Sequence, residues 1–284
     1  MPEPPIPIPP LIAAAEAAEL LAAIDAGREE VEISLDLGQT METVRLGSGG
    51  ASMRGVSVTR DELVTVTERP TAVFAAVPGG PRPLEVRRGG YAKLVPTGGA
   101  PTVELSGVRM HRIAGIDPFE DARTKAAAVV VAGDRVLDTC GGLGYTATWE
   151  RRLGAKKVIS VEIDSAVLEL RLWNPWSREF LEDCATERLE GDVAELICGF
   201  PEAAFDCVLH DPPRFSLAGE LYGSGFTGQL HRVLRLGGRL LFYTGEPYRR
   251  GRGRDFVAGV ARRLTEAGFK AEWRRELYSF VANR

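Results

Sequence analysis

Cysteine is scarce: there are four in 284 residues, Cys140, Cys184, Cys198 and Cys207, without a CxxC pair and alongside only three histidines. This spacing argues against a disulfide framework or a zinc site, and reduced, buried thiols are the expectation. A basic surplus is also missing. With a formal net charge of -4, the chain has no global positive field of the kind that marks a general nucleic-acid binder, so any polyanion has to be met by a local patch. Long apolar runs are absent as well, and the opening "MPEPPIPIPP" has neither a basic n-region nor an apolar h-region. No membrane-spanning segment or signal peptide is read, and the expected location is cytoplasmic.

What is present is enough apolar residue, 44%, for a sizeable core, in a chain long enough for a large domain plus a smaller one. Residues 1–28 read as a Pro-rich arm followed by one amphipathic helix in "LIAAAEAAELLAAIDAG", with Leu11, Ile12, Leu20, Leu21 and Ile24 at helical spacing and Gly27 as its stop. Residues 29–114 change to short alternating stretches, "VEISLDL", "METVRL", "TAVFAAV", "YAKLVP" and "TVELSGV", separated by Gly- and Pro-bearing turns. They predict a small, mainly antiparallel β domain, interrupted by one short helix where Thr59 and Glu62 form a capping box. From about residue 115 to 284, buried strands alternate with helices: "RVLDTC", "KVISVEID", "FDCVLHD", "GRLLFYTG" and a closing pair, "KAEWRREL" and "YSFVANR". The fold class predicted is α/β, a Rossmann-like doubly wound mixed sheet with an antiparallel edge.

"VLDTCGGLGYTA" is a strand ending on Asp138, a turn with Gly141, Gly142 and Gly144, and a helix start. Glycine serves where backbone must approach a ligand closely or take φ values that other residues resist. Glu162 ends the next strand, where an acid can accept hydrogen bonds from both hydroxyls of a ribose. Asp192 in "EGDV" and Asp211 in "HDPP" follow at the next two strand ends, so four acids are delivered in order to one sheet edge. A dinucleotide site is the rival for the turn. Its G-x-G-x-x-G spacing is not met, because Gly142 and Gly144 are followed by Tyr145, Thr146 and Ala147.

This order of parts resembles the class I S-adenosylmethionine-dependent methyltransferases, over about residues 115–284. The resemblance implies S-adenosyl-L-methionine as cofactor, with Asp138, Gly142 and Gly144 at its methionine part, Glu162 at the ribose and Asp192 at the adenine amino group, and with Cys140, Tyr145, Ile163, Val193 and Asp211 completing the cofactor-binding set. The family's D-x-G-x-G-x-G pattern is broken at its first glycine, where Cys140 stands. More narrowly, "LDTCGGLGYTA", "NPWS", "HDPPRFSLAGELY" and "SGVRMHR" resemble a group of predicted methyltransferases best known from archaea. Each part also has a plain structural reading. Asp138 can cap the turn, Cys140 can be a small buried residue, His111 and His210 can be satisfied structural histidines, and "NPWS" is a helix stop in which Trp176 could also shield a cofactor.

"VLHDPPRFS" ends a strand on two prolines that cannot donate to a ladder, which leaves carbonyls free. In amino-group methyltransferases an Asp or Asn followed by Pro-Pro and an aromatic grips the acceptor nitrogen. The resemblance therefore implies a catalytic set of Asp211, Pro212 and Arg214, with Arg214 in the aromatic's place, able to stack on a base, clamp an anion, or pair with an acid. Phe215 is a second candidate for stacking. Spermidine synthases share the fold and a preceding β domain, and Asp211, Glu220 and Glu246 could line a polyamine pocket. The loop "YRRGRGR", with Arg249, Arg250, Arg252 and Arg254, opposes a polycation and favours an anionic acceptor such as RNA. The alternatives are aminopropyl transfer and a non-catalytic adaptor.

Overall fold

A computed structural model describes residues 8–245 and 252–284. The chain forms two compact units, one made of Met1–Pro118 with Ala166–Arg178 and the other of Phe119–Ser165 with Glu179–Arg284.

The first unit opens with β1 (Leu11–Ile12) and α1 (Ala14–Asp25). Leu11 and Ile12 are strand residues rather than the helical start expected of them. The Leu11 N–H donates to the Leu35 carbonyl at 2.8 Å, and the Ala76 N–H donates to the Pro10 carbonyl at 2.8 Å. These tertiary ladder bonds outweigh helix propensity, a weak local preference. Gly27, at φ 65°, closes the helix as expected. Next come β2 (Glu30–Ile33), β3 (Glu42–Gly47), β4 (Gly50–Met53) and β5 (Val56–Thr59), an antiparallel four-stranded meander. Its β4–β5 hairpin was not read from the sequence. Its turn is Arg54-Gly55, both at positive φ (47° and 81°), the requirement of a tight two-residue hairpin loop. Thr59 caps α2 (Arg60–Thr67), accepting from the Glu62 N–H while Glu62 Oε2 accepts from the Thr59 N–H at 2.8 Å. The capping box is therefore as expected. Three very short strands, β6 (Phe74–Ala75), β7 (Arg82–Pro83) and β8 (Glu85–Val86), lead to β9 (Ala92–Val95), β10 (Thr102–Leu105) and β11 (Val108–Arg109). Leu20, Ile33, Val44, Met53, Val58, Leu63 and Phe74 form the unit's buried core.

Then follow α3 (Pro118–Ala127), β12 (Arg135–Asp138), α4 (Tyr145–Arg152), β13 (Lys157–Glu162), α5 (Ser165–Trp173), α6 (Arg178–Glu182), β14 (Thr186–Glu190), α7 (Val193–Leu196), β15 (Phe205–His210), α8 (Ser224–Val233), β16 (Leu234–Tyr243), α9 (Arg252–Glu266), β17 (Lys270–Arg274) and β18 (Ser279–Asn283). The second unit is built on a seven-stranded sheet in the order β14-β13-β12-β15-β16-β18-β17, parallel except for β18, which runs antiparallel to both its neighbours. Successive residues of each strand serve opposite faces. Leu137, Ile159, Val208 and Leu240 belong to one buried cluster, and Val136, Val158, Cys207 and Leu241 to the other. This is the doubly wound mixed sheet that the sequence predicts, with the closing strand pair as its antiparallel edge. The order turns back at β12 and β15, and the crevice at such a switch point lies at the carboxyl ends of the strands.

Of the four thiols only Cys207 is fully buried and Cys140 partly so; Cys184 and Cys198 are exposed, against expectation. Cys184 follows α6 at the surface, and Cys198 lies on the outside of a short turn with its thiol 3.7 Å from the Ala194 carbonyl. Among the described residues no helix is long and apolar enough to cross a membrane, and no cluster of His, Cys, Asp and Glu could hold a metal ion.

Candidate active site

β12 ends on Asp138, which is fully buried. Its Oδ2 accepts from the Ser160 hydroxyl of β13 at 2.9 Å and from the Thr146 hydroxyl of α4 at 3.1 Å. One carboxylate thus fastens the first two central strands to the helix that follows the turn. In the turn, Gly141 donates to the Val161 carbonyl at 2.8 Å, and a side chain there would collide with the Ser160 hydroxyl. Gly144, at φ 84°, caps α4 in the left-handed conformation, and a Cβ on it would strike the Phe180 ring. Cys140 is not among the residues with positive φ, so its place in the turn does not require a glycine. Burial, then the neighbouring charges of Glu162, Asp138 and Asp211, raise its thiol well above the ordinary range, so it is neutral.

Glu162 ends β13 and is bound to the turn. Its Oε2 accepts from the Gly142 N–H at 2.8 Å, and its Oε1 from the N–H groups of Ile163 and Asp164, both at 2.9 Å. Ile163 is an apolar side chain left 62% exposed beside that carboxylate. Asp192 lies two residues beyond β14. Its Oδ1 caps α7 by accepting from the Ala194 N–H at 2.8 Å, and its other oxygen makes no hydrogen bond among the described residues. Val193 and Tyr145 are buried, Val193 in the core and Tyr145 with its ring edge-on to Phe119.

At the next strand end, His210 closes β15 fully buried, with Nδ1 2.7 Å from the Thr139 hydroxyl and Nε2 3.1 Å from the Leu221 carbonyl. Burial lowers its pKa to about 3, so it is a neutral, satisfied imidazole. Asp211 comes next, with its Oδ2 2.7 Å from Lys125 Nζ of α3. Lys125 also pairs with Asp121 at 2.8 Å and sits 3.9 Å from the centre of the Tyr243 ring. Lys125 was missed in the sequence; its only trace is the i,i+4 spacing from Asp121 in "FEDARTK". Burial works against its charge, but Asp211 and Asp121 outweigh that and raise its pKa, keeping it an ammonium. Asp211 is itself raised, first by burial and further by Asp121, despite the lysine. One ammonium between two carboxylates leaves the trio one negative charge.

Pro212 is buried. The Tyr222 hydroxyl donates to the Pro213 carbonyl at 2.8 Å and lies at the 3.5 Å limit from that of Pro212. Arg214 is exposed and its side chain makes no hydrogen bond or ion pair among the described residues. Phe215 is 54% exposed and packs edge-on against Tyr222 and Phe256. The strand-end acids, the glycine turn and the Asp-Pro-Pro stretch are therefore held by one sheet edge. Glu220 lies in the short turn before α8. Glu246, Arg249 and Arg250 lie outside the described residues, and Arg252 and Arg254 fall in the first turn of α9. In the first unit, His111 Nδ1 is 2.9 Å from the Thr102 hydroxyl, and the Trp176 indole donates to the Leu37 carbonyl at 3.0 Å.

No family model matches the sequence. The chain is 40% identical over 246 residues to the uncharacterized protein MJ1233 of Methanocaldococcus jannaschii, covering 85% of its own length and 84% of that protein's. It belongs to that protein's family. A spermidine synthase solved with the transition state analogue AdoDATO is similar to this chain at a TM-score of 0.58 and 18% identity, over 70% of this chain and 72% of that one. The spermidine synthase of Thermotoga maritima is similar at 0.55 and 17%, over 70% and 71%. At that identity the likeness is one of fold.

Proposed function

We propose that this chain is an S-adenosylmethionine-dependent methyltransferase acting on an acceptor nitrogen. The observation that carries the reading is the bond from the Gly142 N–H to Glu162, which fixes a glycine turn and an acid together at the switch point of a parallel sheet. Around it the donor set suits a nucleoside with a zwitterionic tail. Glu162 has two oxygens with several acceptor directions for ribose hydroxyls, Ile163 offers an apolar surface for a base, Asp192 has an unengaged oxygen for an exocyclic amine, and the turn beside Asp138 can receive the ammonium and carboxylate of a methionine tail. When bound, the cofactor supplies an electrophilic methyl group on a sulfonium. The chain's own part is then to hold and orient a lone pair, and positioning alone supplies a large share of rate in such transfers. Asp211 accepts an N–H of the acceptor through Oδ1, which makes no hydrogen bond among the described residues, and the Pro212 carbonyl accepts a second. His210 is no proton acceptor here, since both of its nitrogens are engaged.

Arg214, exposed and unpaired among the described residues, supports an acceptor with an anionic part, and RNA is the acceptor class we propose. Incubating the protein with methyl-labelled S-adenosylmethionine and separated RNA, protein and polyamine fractions tests both halves. Label in RNA supports the proposal. Label in polyamine or protein overturns the RNA half, and the absence of any binding of S-adenosylhomocysteine overturns the whole. One observation favours a second reading, aminopropyl transfer: the fold is shared with spermidine synthase over most of the chain.

A further inference from the structure

Lys125 is a primary ammonium enclosed by the chain itself. Its Nζ lies 2.7 Å from Asp211 Oδ2, 2.8 Å from Asp121 Oδ2 and 3.9 Å from the centre of the Tyr243 ring. An ammonium has three N–H donors and no acceptor, and an aromatic face attracts a cation through its quadrupole. Two carboxylates and an aromatic face are the groups with which a protein would hold an alkylammonium ligand. Here that seat is filled from within. Lys125 and Asp121 have side chains only 5% and 4% exposed, whereas Asp211 retains 23%, so the trio meets the site through Asp211 alone.

We propose that Lys125 sets the charge class of the acceptor: by occupying the ammonium seat beside Asp211, it makes the site admit a neutral nitrogen and refuse an alkylammonium such as the end of a polyamine. The inference rests on the reading of Asp211 as the acceptor-holding group, and it decides between the two transfers that the fold could serve. A protonated amine approaching Asp211 meets a carboxylate whose attraction is largely offset by the fixed ammonium 2.7 Å behind it, so it gains little for the hydration it must give up in a partly buried site. A neutral N–H donor has far less hydration to give up and finds the second oxygen of Asp211 without a hydrogen bond among the described residues. It also still owns the lone pair that a protonated amine has lost.

Lys125→Ala empties the seat, which a small alkylammonium should then fill. Thermal unfolding of full-length wild type and variant is compared in ethylammonium chloride and in equal tetramethylammonium chloride, a cation with no N–H to donate. Ethylammonium should raise the variant's Tm by about 3 °C above the tetramethylammonium value, as expected for a ligand that binds only the folded state, and wild type should respond equally to both salts. Lys125→Met, which fills the space without charge, should also respond equally to both. Recovery of a poorly folded Lys125→Ala protein by ethylammonium alone counts as the same result. No selective gain in Lys125→Ala, failure to fold in either salt, or an equal gain in Lys125→Met overturns the proposal. Calorimetry with putrescine is a second arm that needs no variant to fold. Wild type should bind none, and binding that Asp211→Asn removes would overturn the proposal. Titration of wild type with S-adenosylhomocysteine separately tests the cofactor reading, so the two can fail independently.

Discussion

Glu162 has a structural role in the glycine turn and, in the proposed function, a binding role as well. Three backbone N–H groups converge on its two oxygens, and hydrogen bonds to a charged acceptor are worth roughly 1.5–3 kcal/mol each. Glu162→Ala should therefore loosen the turn and, if Glu162 is the ribose acceptor as proposed, lower S-adenosylhomocysteine affinity by about 100-fold or more in calorimetry. Equal affinity in wild type and variant would refute the assignment. Asp211 and Arg214 should fail differently from Glu162 and from each other. On the proposed function, Asp211→Ala should abolish methyl transfer with cofactor affinity within about twofold of wild type, while Arg214→Ala should raise KM and reduce the salt dependence of binding to an RNA acceptor by about one unit of log–log slope. The residue scale is also where the sequence misled least and omitted most. Asp138, Glu162, Asp192 and Asp211 were legible because each ends or follows a strand. Lys125 was not, because its partner Asp211 is 86 residues away and only folding brings them together.

At the scale of elements, ends matter more than middles. Thr59 and Glu62 spell out their helix start in the sequence, and Thr59→Ala should cost about 1 kcal/mol of stability in denaturant unfolding. Gly144 is more demanding. Its left-handed φ and the Phe180 ring against its Cα position leave no room for a side chain, so Gly144→Ala should destabilise by more than the roughly 1 kcal/mol of a simple glycine replacement and disturb the start of α4. An unchanged Tm would count against the geometry of this turn. The β4–β5 hairpin went unread because its strands are only four residues long and β4, Gly-Ala-Ser-Met, has no β-branched residue. The fate of Leu11 and Ile12 went the other way. Their apolar pattern is as good for a helix as for a strand, and only the ladder to Phe74 and Ala75 separates the two.

For the whole molecule, two fully buried titratable groups set opposite pH dependences. His210 has its folded pKa lowered to about 3, so between there and its ordinary value near 6.5 the unfolded chain binds the extra proton. Stability is fully present above about 6.5 and falls with acidification by up to about 1.4 kcal/mol per pH unit. Glu150 of α4 is fully buried, and neither of its oxygens has a hydrogen-bond partner among the described residues. Burial, and then the charge of Asp138, raise its pKa well above 4.5. A raised acid favours the folded state below its unfolded pKa, and that contribution is lost as pH climbs toward the folded value. Glu150→Gln, which cannot ionise, should therefore match wild type near pH 4 and melt progressively higher than wild type as pH rises above about 4.5. Parallel melting curves at all pH values would refute a protonated Glu150.

By itself the sequence determined the α/β alternation, the sheet class, the glycine turn and the acids at the strand ends, since each of these is written in local periodicity or in residues a few positions apart. Tertiary structure alone decided which groups share a charge, which histidine is spent on structure, and where an apolar pair joins a ladder rather than a helix. The physical reason is range. Propensity and turn chemistry act over a few residues, whereas an ion trio such as Asp121, Lys125 and Asp211, or the solvent exclusion that keeps Glu150 protonated and His210 neutral, exists only after distant segments have removed water from one another.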